Sequence, residues 1–286
     1  AQNDFMIPDE VRQLIVMALA EDAGPGDITA QSFVPETKHA RATILAKESG
    51  IAAGIEVARL VFQILDPQVR TEAVISDGVA VHRVEPAITL SCPARSILTG
   101  ERTALNFLQR LSGIATQTRR YVDAVAGAGT QILDTRKTTP GLRLAEKAAV
   151  RSGGAQNHRQ GLSDGVLIKE NHIRAAGGIA AAVKRALDAR PDDAFLECEV
   201  TNLQELAEAM DAGARMTLLD NMDLDTMRRA VEMARERGVR TEASGNVTLE
   251  TVRAVAQTGV DFISTGWITH SAPALDLSLL LDHKSG

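Results

Sequence analysis

The sequence predicts an α/β protein: a small α+β unit followed by parallel strands and crossover helices, close to an incomplete or modified (β/α) barrel. Three observations carry this. The chain has 286 residues, enough for one large domain or two modest ones and for a substantial core without disulfide staples. From residue 131 onward, strand-like and helix-like runs alternate at spacings of roughly 20 to 35 residues, as parallel strands with crossover helices do. Several of those helical runs end at glycine (Gly213, Gly238, Gly259), the usual left-handed stop. A doubly wound open sheet is the structural rival.

The elements follow in order. Residues 9–20 form an amphipathic helix pattern with Val11, Leu14, Ile15 and Ala18 on one face. The run Glu21-Asp22-Ala23-Gly24-Pro25-Gly26-Asp27 then breaks the helix. Short apolar runs with β character lie at 42–46, 69–75, 79–84 and 87–90, with a helix pattern at 54–65. Residues 101–126 read as a long helix, with a break expected near Ser112-Gly113. Strands are then expected at 131–134, 165–169, 194–200, 216–220, 240–244 and 261–265. Helices are expected at 143–152, 178–189, 203–212, 224–237 and 248–258. Six β/α units result.

Composition excludes several functions. Lys plus Arg number 31 and Asp plus Glu 37, a net charge of -6, so the chain lacks the basic surface of a general nucleic-acid binder. One Trp, one Tyr and six Phe leave little for a base-stacking platform. Cys92 and Cys198 are too few for a disulfide framework or a four-cysteine zinc site. No run of about 18 apolar residues is present, and residues 1–8 lack a basic stretch followed by an apolar one. A soluble, cytoplasmic protein is expected.

The chemistry gathers at the C-terminal ends of the expected strands. These ends carry Asp134-Thr135-Arg136-Lys137, Lys169-Glu170-Asn171-His172, Glu199, Asp220-Asn221, Ser244-Gly245-Asn246 and Thr265-Gly266-Trp267. In a parallel barrel all such ends face one mouth, where active sites are built. Taken singly, each could be a helix cap or a solvated loop; Asp220-Asn221 reads equally well as a cap.

Taken together, they make two chemical halves. Arg136, Lys137, Arg159 and Lys169, with His158, are cationic and suit carboxylate or phosphate oxygens. Glu199 and Asp220 are anionic and could hold a divalent ion beside a phosphate ligand or stabilise developing positive charge. Ser244-Gly245-Asn246 and Thr265-Gly266 are small enough to expose backbone N–H groups at following helix N-termini as a phosphate cradle, although a plain turn explains each glycine as well. Of six histidines, His158 and His270 fall in loops facing the mouth, and His172 could cap a helix. His39, His82 and His283 read as surface residues.

The runs Gly100-Glu101-Arg102-Thr103-Ala104-Leu105-Asn106, Leu133-Asp134-Thr135-Arg136-Lys137-Thr138-Thr139-Pro140-Gly141, Gly154-Ala155-Gln156-Asn157-His158-Arg159 and Leu167-Ile168-Lys169-Glu170-Asn171-His172 resemble the bacterial quinolinate phosphoribosyltransferases, the carboxylating nicotinate-nucleotide pyrophosphorylases. Glu21-Asp22, Gly24, Gly26-Asp27 and Thr29 fit the same pattern. The resemblance extends over residues 9–281.

It implies an N-terminal α/β sandwich domain (1–112) completed by the tail 272–286, and an incomplete, seven-stranded α/β barrel (113–271). It implies a homodimer that joins quinolinate and phosphoribosyl pyrophosphate with magnesium. Nicotinate mononucleotide, pyrophosphate and carbon dioxide are the products, on the de novo route to NAD.

By resemblance, Arg136, His158, Arg159 and Lys169 bind quinolinate, with Arg102 reaching across from the neighbouring subunit. Lys137 and His270 meet phosphate or pyrophosphate. Glu199 and Asp220 sit by the ribose and magnesium, directly or through water. Ser244, Gly245, Asn246, Thr265 and Gly266 hold the 5′-phosphate, and Thr135 and Trp267 are counted among the substrate-binding residues. Lys137, Lys169, Glu199 and Asp220 are expected to act in catalysis.

Three rivals stand beside this. Lys169 could form a Schiff base, but the surrounding arginines suit polyanions instead. A non-catalytic phosphometabolite-binding barrel is the second. A phosphoribosyltransferase acting on nicotinate is the third.

Overall fold

A computed structural model of the chain describes residues 7–190 and 194–282. In chain order the elements are α1 (Asp9–Ala23), α2 (Ile28–Phe33), β1 (His39–Ala46), β2 (Gly50–Ile51), α3 (Ile55–Leu65), β3 (Arg70–Ala73), β4 (Ala80–Val81), β5 (Pro86–Pro93) and α4 (Ala94–Ala124). Then come β6 (Gln131–Leu133), α5 (Arg143–Ser152), β7 (Gly165–Ile168), α6 (Glu170–Ala176), α7 (Ile179–Ala189), β8 (Phe195–Val200), α8 (Leu203–Asp211) and β9 (Met216–Asp220). The last are α9 (Leu224–Glu236), β10 (Arg240–Ser244), α10 (Val252–Ala256), β11 (Phe262–Ser264) and β12 (Leu277–Leu281). The chain forms two compact units. The first takes residues through Arg119, Thr138–Gly154 and the segment from Ser271; the second takes Arg120–Lys137 and Ala155–His270.

In the first unit a four-stranded antiparallel sheet runs in the order β12-β1-β5-β3. Alternate residues of β1, Ala42, Ile44 and Ala46, are buried, as the two-residue period of a strand requires. The C-terminal tail joins this sheet as expected, with Ile44 opposite Leu279 and Ala46 opposite Leu277. Helix α1 buries Val11, Ile15 and Leu19, a single i, i+4, i+8 row. Ile15, Ile44, Phe62 and Ile88 are fully buried in the same core, each contributing roughly 1.5–3 kcal/mol of transfer free energy.

Three expectations change here. No break occurs at Ser112-Gly113: α4 runs through both residues. Gly113 is there for contact rather than for a bend: a Cβ at this position would collide with the Pro273 carbonyl oxygen. Helix α2 follows the turn unannounced; it is six residues long, too short to show a period, and Asp27 caps it by accepting from the Ala30 N–H at 2.9 Å. Helix α5, expected as a barrel crossover, belongs to the first unit. There the buried Glu146 accepts from Arg110 Nε (3.2 Å) and Nη2 (3.1 Å) and from the Thr139 hydroxyl (2.7 Å).

The second unit is built on six parallel strands in the order β6-β11-β10-β9-β8-β7. From β7 to β11, neighbours in sequence are neighbours in space, and the last strand then pairs with the first, Ile263 opposite Ile132. A doubly wound sheet reverses its strand order at an internal switch point; this one does not, so the rival topology is removed. Six strands are formed among the described residues, against the seven expected. Between β6 and β7 the extended pairing is a lone parallel bridge, Gln156 with Leu133. It stops there because the next two residues turn to a side chain: the Asn157 amide donates to Asp134 Oδ2 at 2.6 Å and the His158 N–H to Oδ1 at 2.8 Å. No helix among the described residues is long and apolar enough to cross a membrane. His39 and His82 are exposed as expected, and the expectation for His283 lies outside the described residues.

Candidate active site

Two adjoining cavities open at the C-terminal ends of the second unit's strands. One, of about 240 Å³, is lined by Arg136, His158 and Arg159. The other, of about 390 Å³, is lined by Glu199, Asp220, Gly245, Asn246, Thr265, Gly266, Trp267 and His270. Thr135, Lys137, Lys169 and Ser244 line both. Of the residues singled out from the strand ends, all but Asp134, Glu170, Asn171 and His172 therefore meet at one place, already divided into a cationic half and a polar half. Arg102 does not: it is exposed on α4 in the first unit.

The cationic half is fixed by the loop after β6. Asp134, fully buried, anchors Asn157 and His158 and so aims the loop. Arg159 is only 9% exposed and donates through Nη1 to the Gly165 carbonyl at 3.0 Å. Gly165 is needed here because a Cβ would strike the Phe195 ring, which itself lies edge-on to His158 at 5.4 Å. Burial, and then the neighbouring Arg136, push the Arg159 guanidinium below its usual range. It stays charged near neutrality. Two guanidiniums held close against their repulsion make a site suited to an anion.

Lys169 ends β7 and stands between the halves. Its Nζ is 3.7 Å from Glu199 Oε2. Its backbone N–H donates to His172 Nδ1 at 3.0 Å, so His172 is a helix cap for α6, a second short helix the periodicity did not reveal. The Glu199 carboxyl is raised by burial, lowered by Lys169 and raised again by Asp220. The two acids thus feel one another across the polar cavity.

The loops after β10 and β11 do not run straight into helices. Helix α10 begins only at Val252, and no helix follows β11 among the described residues. The expected helix-N-terminus cradle is replaced by left-handed backbone. Asn221 and Asn246 both have φ 52° and Gly245 has φ 99°. A Cβ on Gly245 would collide with the Asn221 amide, and Asn246 Nδ2 donates to Asn221 Oδ1 at 3.3 Å. The turn after β11 is closed by the His270 N–H to the Gly266 carbonyl at 2.9 Å, and the Thr269 hydroxyl donates to the Lys137 carbonyl at 2.8 Å. At Gly266 a Cβ would meet His270 Cδ2 at 2.7 Å and Lys137 Cδ at 2.9 Å.

Sequence reasoning missed two acids. Glu197 in β8 and Glu242 in β10 are fully buried with carboxylates at 3.0 and 3.5 Å from His158 Nε2. The signal was parity: Glu197 is two residues before Glu199, and Glu242 two before Ser244, so each shares the inward face of its strand. Among the described residues His158, Glu197 and Glu242 are also the group whose ligand atoms lie within 4.8 Å of one another and could close on one ion. Burial raises both carboxyls; Glu242, also raised by Glu197, is pushed up to about 8.

A raised carboxyl binds its proton more tightly folded than unfolded. Its stabilising effect is complete below the ordinary glutamate range and is lost as pH rises from 4.5 to about 8. Glu242→Gln is therefore expected to melt close to wild type at pH 5 and above it at pH 8.5. Equal melting differences at both pH values would refute this.

Residues 27–112 match the family described as quinolinate phosphoribosyl transferase, N-terminal domain, and residues 114–280 its C-terminal domain. The chain is 46% identical over 263 residues to a probable nicotinate-nucleotide pyrophosphorylase [carboxylating] of Synechocystis sp., covering 91% of this chain and 89% of that one. It is 44% identical to a quinolinate phosphoribosyltransferase [decarboxylating] of Nicotiana glauca, covering 96% of this chain and 83% of the other. The solved nicotinate-nucleotide pyrophosphorylase of Francisella tularensis superposes with a TM-score of 0.92 at 45% identity, covering 96% of this chain and 98% of that one. On these matches over nearly its whole length, the chain belongs to the quinolinate phosphoribosyl transferase family.

Proposed function

We propose that this chain transfers the phosphoribosyl group of phosphoribosyl pyrophosphate to quinolinate and decarboxylates the product, giving nicotinate mononucleotide, pyrophosphate and carbon dioxide for NAD synthesis. The observation that carries it is the joined pair of cavities, one with two mutually repelling guanidiniums and one with two acids and small, left-handed loops.

Quinolinate is a dianion and takes the cationic half, where Arg136 and Arg159 offer planar forks and Lys169 a point charge. The sugar phosphate takes the polar half. Backbone N–H groups of the Gly245 and Gly266 loops suit its 5′-phosphate, and Lys137 and His270 suit the pyrophosphate. Lys137 and Lys169, lining both cavities, hold the ring nitrogen against the ribose carbon. As the C–O bond to pyrophosphate breaks, positive charge grows on the ribose, and Glu199 and Asp220 stabilise it. The new N–C bond leaves the pyridine cationic. That charge stabilises the carbanion left on the adjacent ring carbon when its carboxylate leaves as carbon dioxide, and a proton then takes the carboxylate's place on that carbon.

Glu199 and Asp220 also fit magnesium. They are hard oxygen donors whose mutual repulsion a cation would relieve. They would hold it directly or through water, and it would neutralise charge on the departing pyrophosphate.

The second unit is read as a seven-walled barrel in which the Gln156 segment stands for one wall. A homodimer, with Arg102 completing the partner's cationic half, is supported by that side chain's exposure and by the exposed apolar Met17, Ile28 and Phe33 on the same unit. Arg102→Ala and Lys169→Ala, each inactive alone, are expected to regain about a quarter of wild-type activity when mixed and allowed to exchange subunits, since half the dimers then carry one intact site. No recovery in exchanging dimers would place Arg102 within its own subunit's site or outside the chemistry. The activity itself is tested by incubating the protein with carboxyl-labelled quinolinate. Release of labelled carbon dioxide equal to nicotinate mononucleotide formed, dependent on phosphoribosyl pyrophosphate, is the expected result; no release in its presence would overturn it.

A further inference from the structure

His158 lines the cationic cavity, and its charge has to be decided from its partners. Nδ1 accepts the Arg159 backbone N–H at 2.7 Å. A nitrogen that accepts at this distance carries no proton, because two donors would otherwise face each other. The ring proton therefore sits on Nε2, which donates to Glu197 Oε2 at 3.0 Å, with Glu242 Oε2 behind it at 3.5 Å. Both ring nitrogens are occupied by the protein, the side chain is 8% exposed, and Phe195 packs edge-on against it. What remains for a ligand is carbon.

We propose that His158 is a neutral imidazole that shapes the quinolinate cavity rather than one of its cations, and that Glu197 is the positioning residue that holds it there. This rests on the reading of that cavity as the quinolinate site. The charged groups around the ring are Glu197 on β8, Glu242 on β10, Asp134 just after β6, and Arg136, Lys137, Arg159 and Lys169 in the cavity wall. Through the Arg159 N–H, the orientation of the imidazole is passed to the residue whose guanidinium meets the substrate. Glu197 thus acts through His158 on Arg159 without touching quinolinate. It works as an acceptor oxygen, not as a counter-charge.

The distinction has a direct readout. In the full-length protein labelled with ¹⁵N-histidine, the His158 ring, assigned by its loss in His158→Gln, is expected to show one protonated nitrogen, Nε2, at pH 7, with and without quinolinate. Both nitrogens protonated, or the proton on Nδ1, would overturn the proposal whatever the activity. Kinetics give the second arm. Glu197→Ala is expected to raise KM for quinolinate by about 10-fold or more with kcat changed less than about 3-fold, and Glu197→Gln, which keeps an acceptor oxygen, to restore KM to within about 3-fold of wild type. If Gln is as damaging as Ala while its melting temperature matches wild type, a counter-charge is needed and the proposal fails. A metal ion bound one per chain in the purified protein and lost in Glu197→Gln would overturn it too, by showing the three side chains to be ligands. Failure of the quinolinate assay with the Nε2–H tautomer intact would instead count against the substrate reading alone.

Discussion

Replacing Arg159 by alanine is expected to lower kcat/KM for quinolinate by about 10³-fold or more, while leaving the melting temperature within a few degrees of wild type. The activity loss follows from position. The guanidinium is buried, held by the Gly165 carbonyl and aimed into a small cavity beside Arg136. Charge-assisted, two-pronged contacts in such a site are worth far more than in water. The mild stability effect follows from the same geometry: Arg136 and Arg159 repel, so removing one relieves that repulsion. Binding sites commonly trade stability for function in this way. Arg159→Lys should recover little, because an ammonium cannot reproduce the fork. Steady-state kinetics with thermal melting check both halves. A variant that keeps wild-type kcat/KM would remove Arg159 from the substrate site.

The second large effect is expected at Glu199. Glu199→Gln should lower kcat by about 10²–10³-fold with KM for quinolinate changed far less, because the acid acts on charge that appears only as pyrophosphate departs. Glu199 is placed for this by parity along β8: Glu197 points to His158, and Glu199, two residues further on the same face, reaches the cavity it shares with Asp220 and stands 3.7 Å from Lys169. The substitution keeps shape and removes charge. Steady-state kinetics with each substrate varied in turn separate the parameters. A rise in KM alone would make Glu199 a binding residue and not a stabiliser of the reacting ribose.

Much of this was legible because parallel strands announce their ends. A buried strand is an apolar run, and the polar residue that stops it marks the mouth; Asp134, Lys169, Asp220 and Ser244 were all read that way and all lie there. Acids inside a run were not legible. Glu197 and Glu242 interrupt apolar strands and read as noise until the sheet brings them together at His158. Short helices escaped for want of a period: α2 and α6 span six and seven residues. Gly113 looked like a break because the residue that needs its missing Cβ, Pro273, is far along the chain. The small residues after β10 were read from composition, but the geometry there comes from left-handed Gly245 and Asn246 beside left-handed Asn221, which no spacing rule displays. The charge on His158 was not legible for a similar reason, since residue type says only that an imidazole is present and its partners decide whether it is a cation.

A cationic cavity built for quinolinate must read two carboxylates and not one. The most direct test compares kcat/KM for quinolinate with that for nicotinate, each with saturating phosphoribosyl pyrophosphate and magnesium. A preference for quinolinate of about 10⁴-fold or more is expected, because nicotinate would leave a buried guanidinium without its anion. Comparable values for the two pyridines would contradict it.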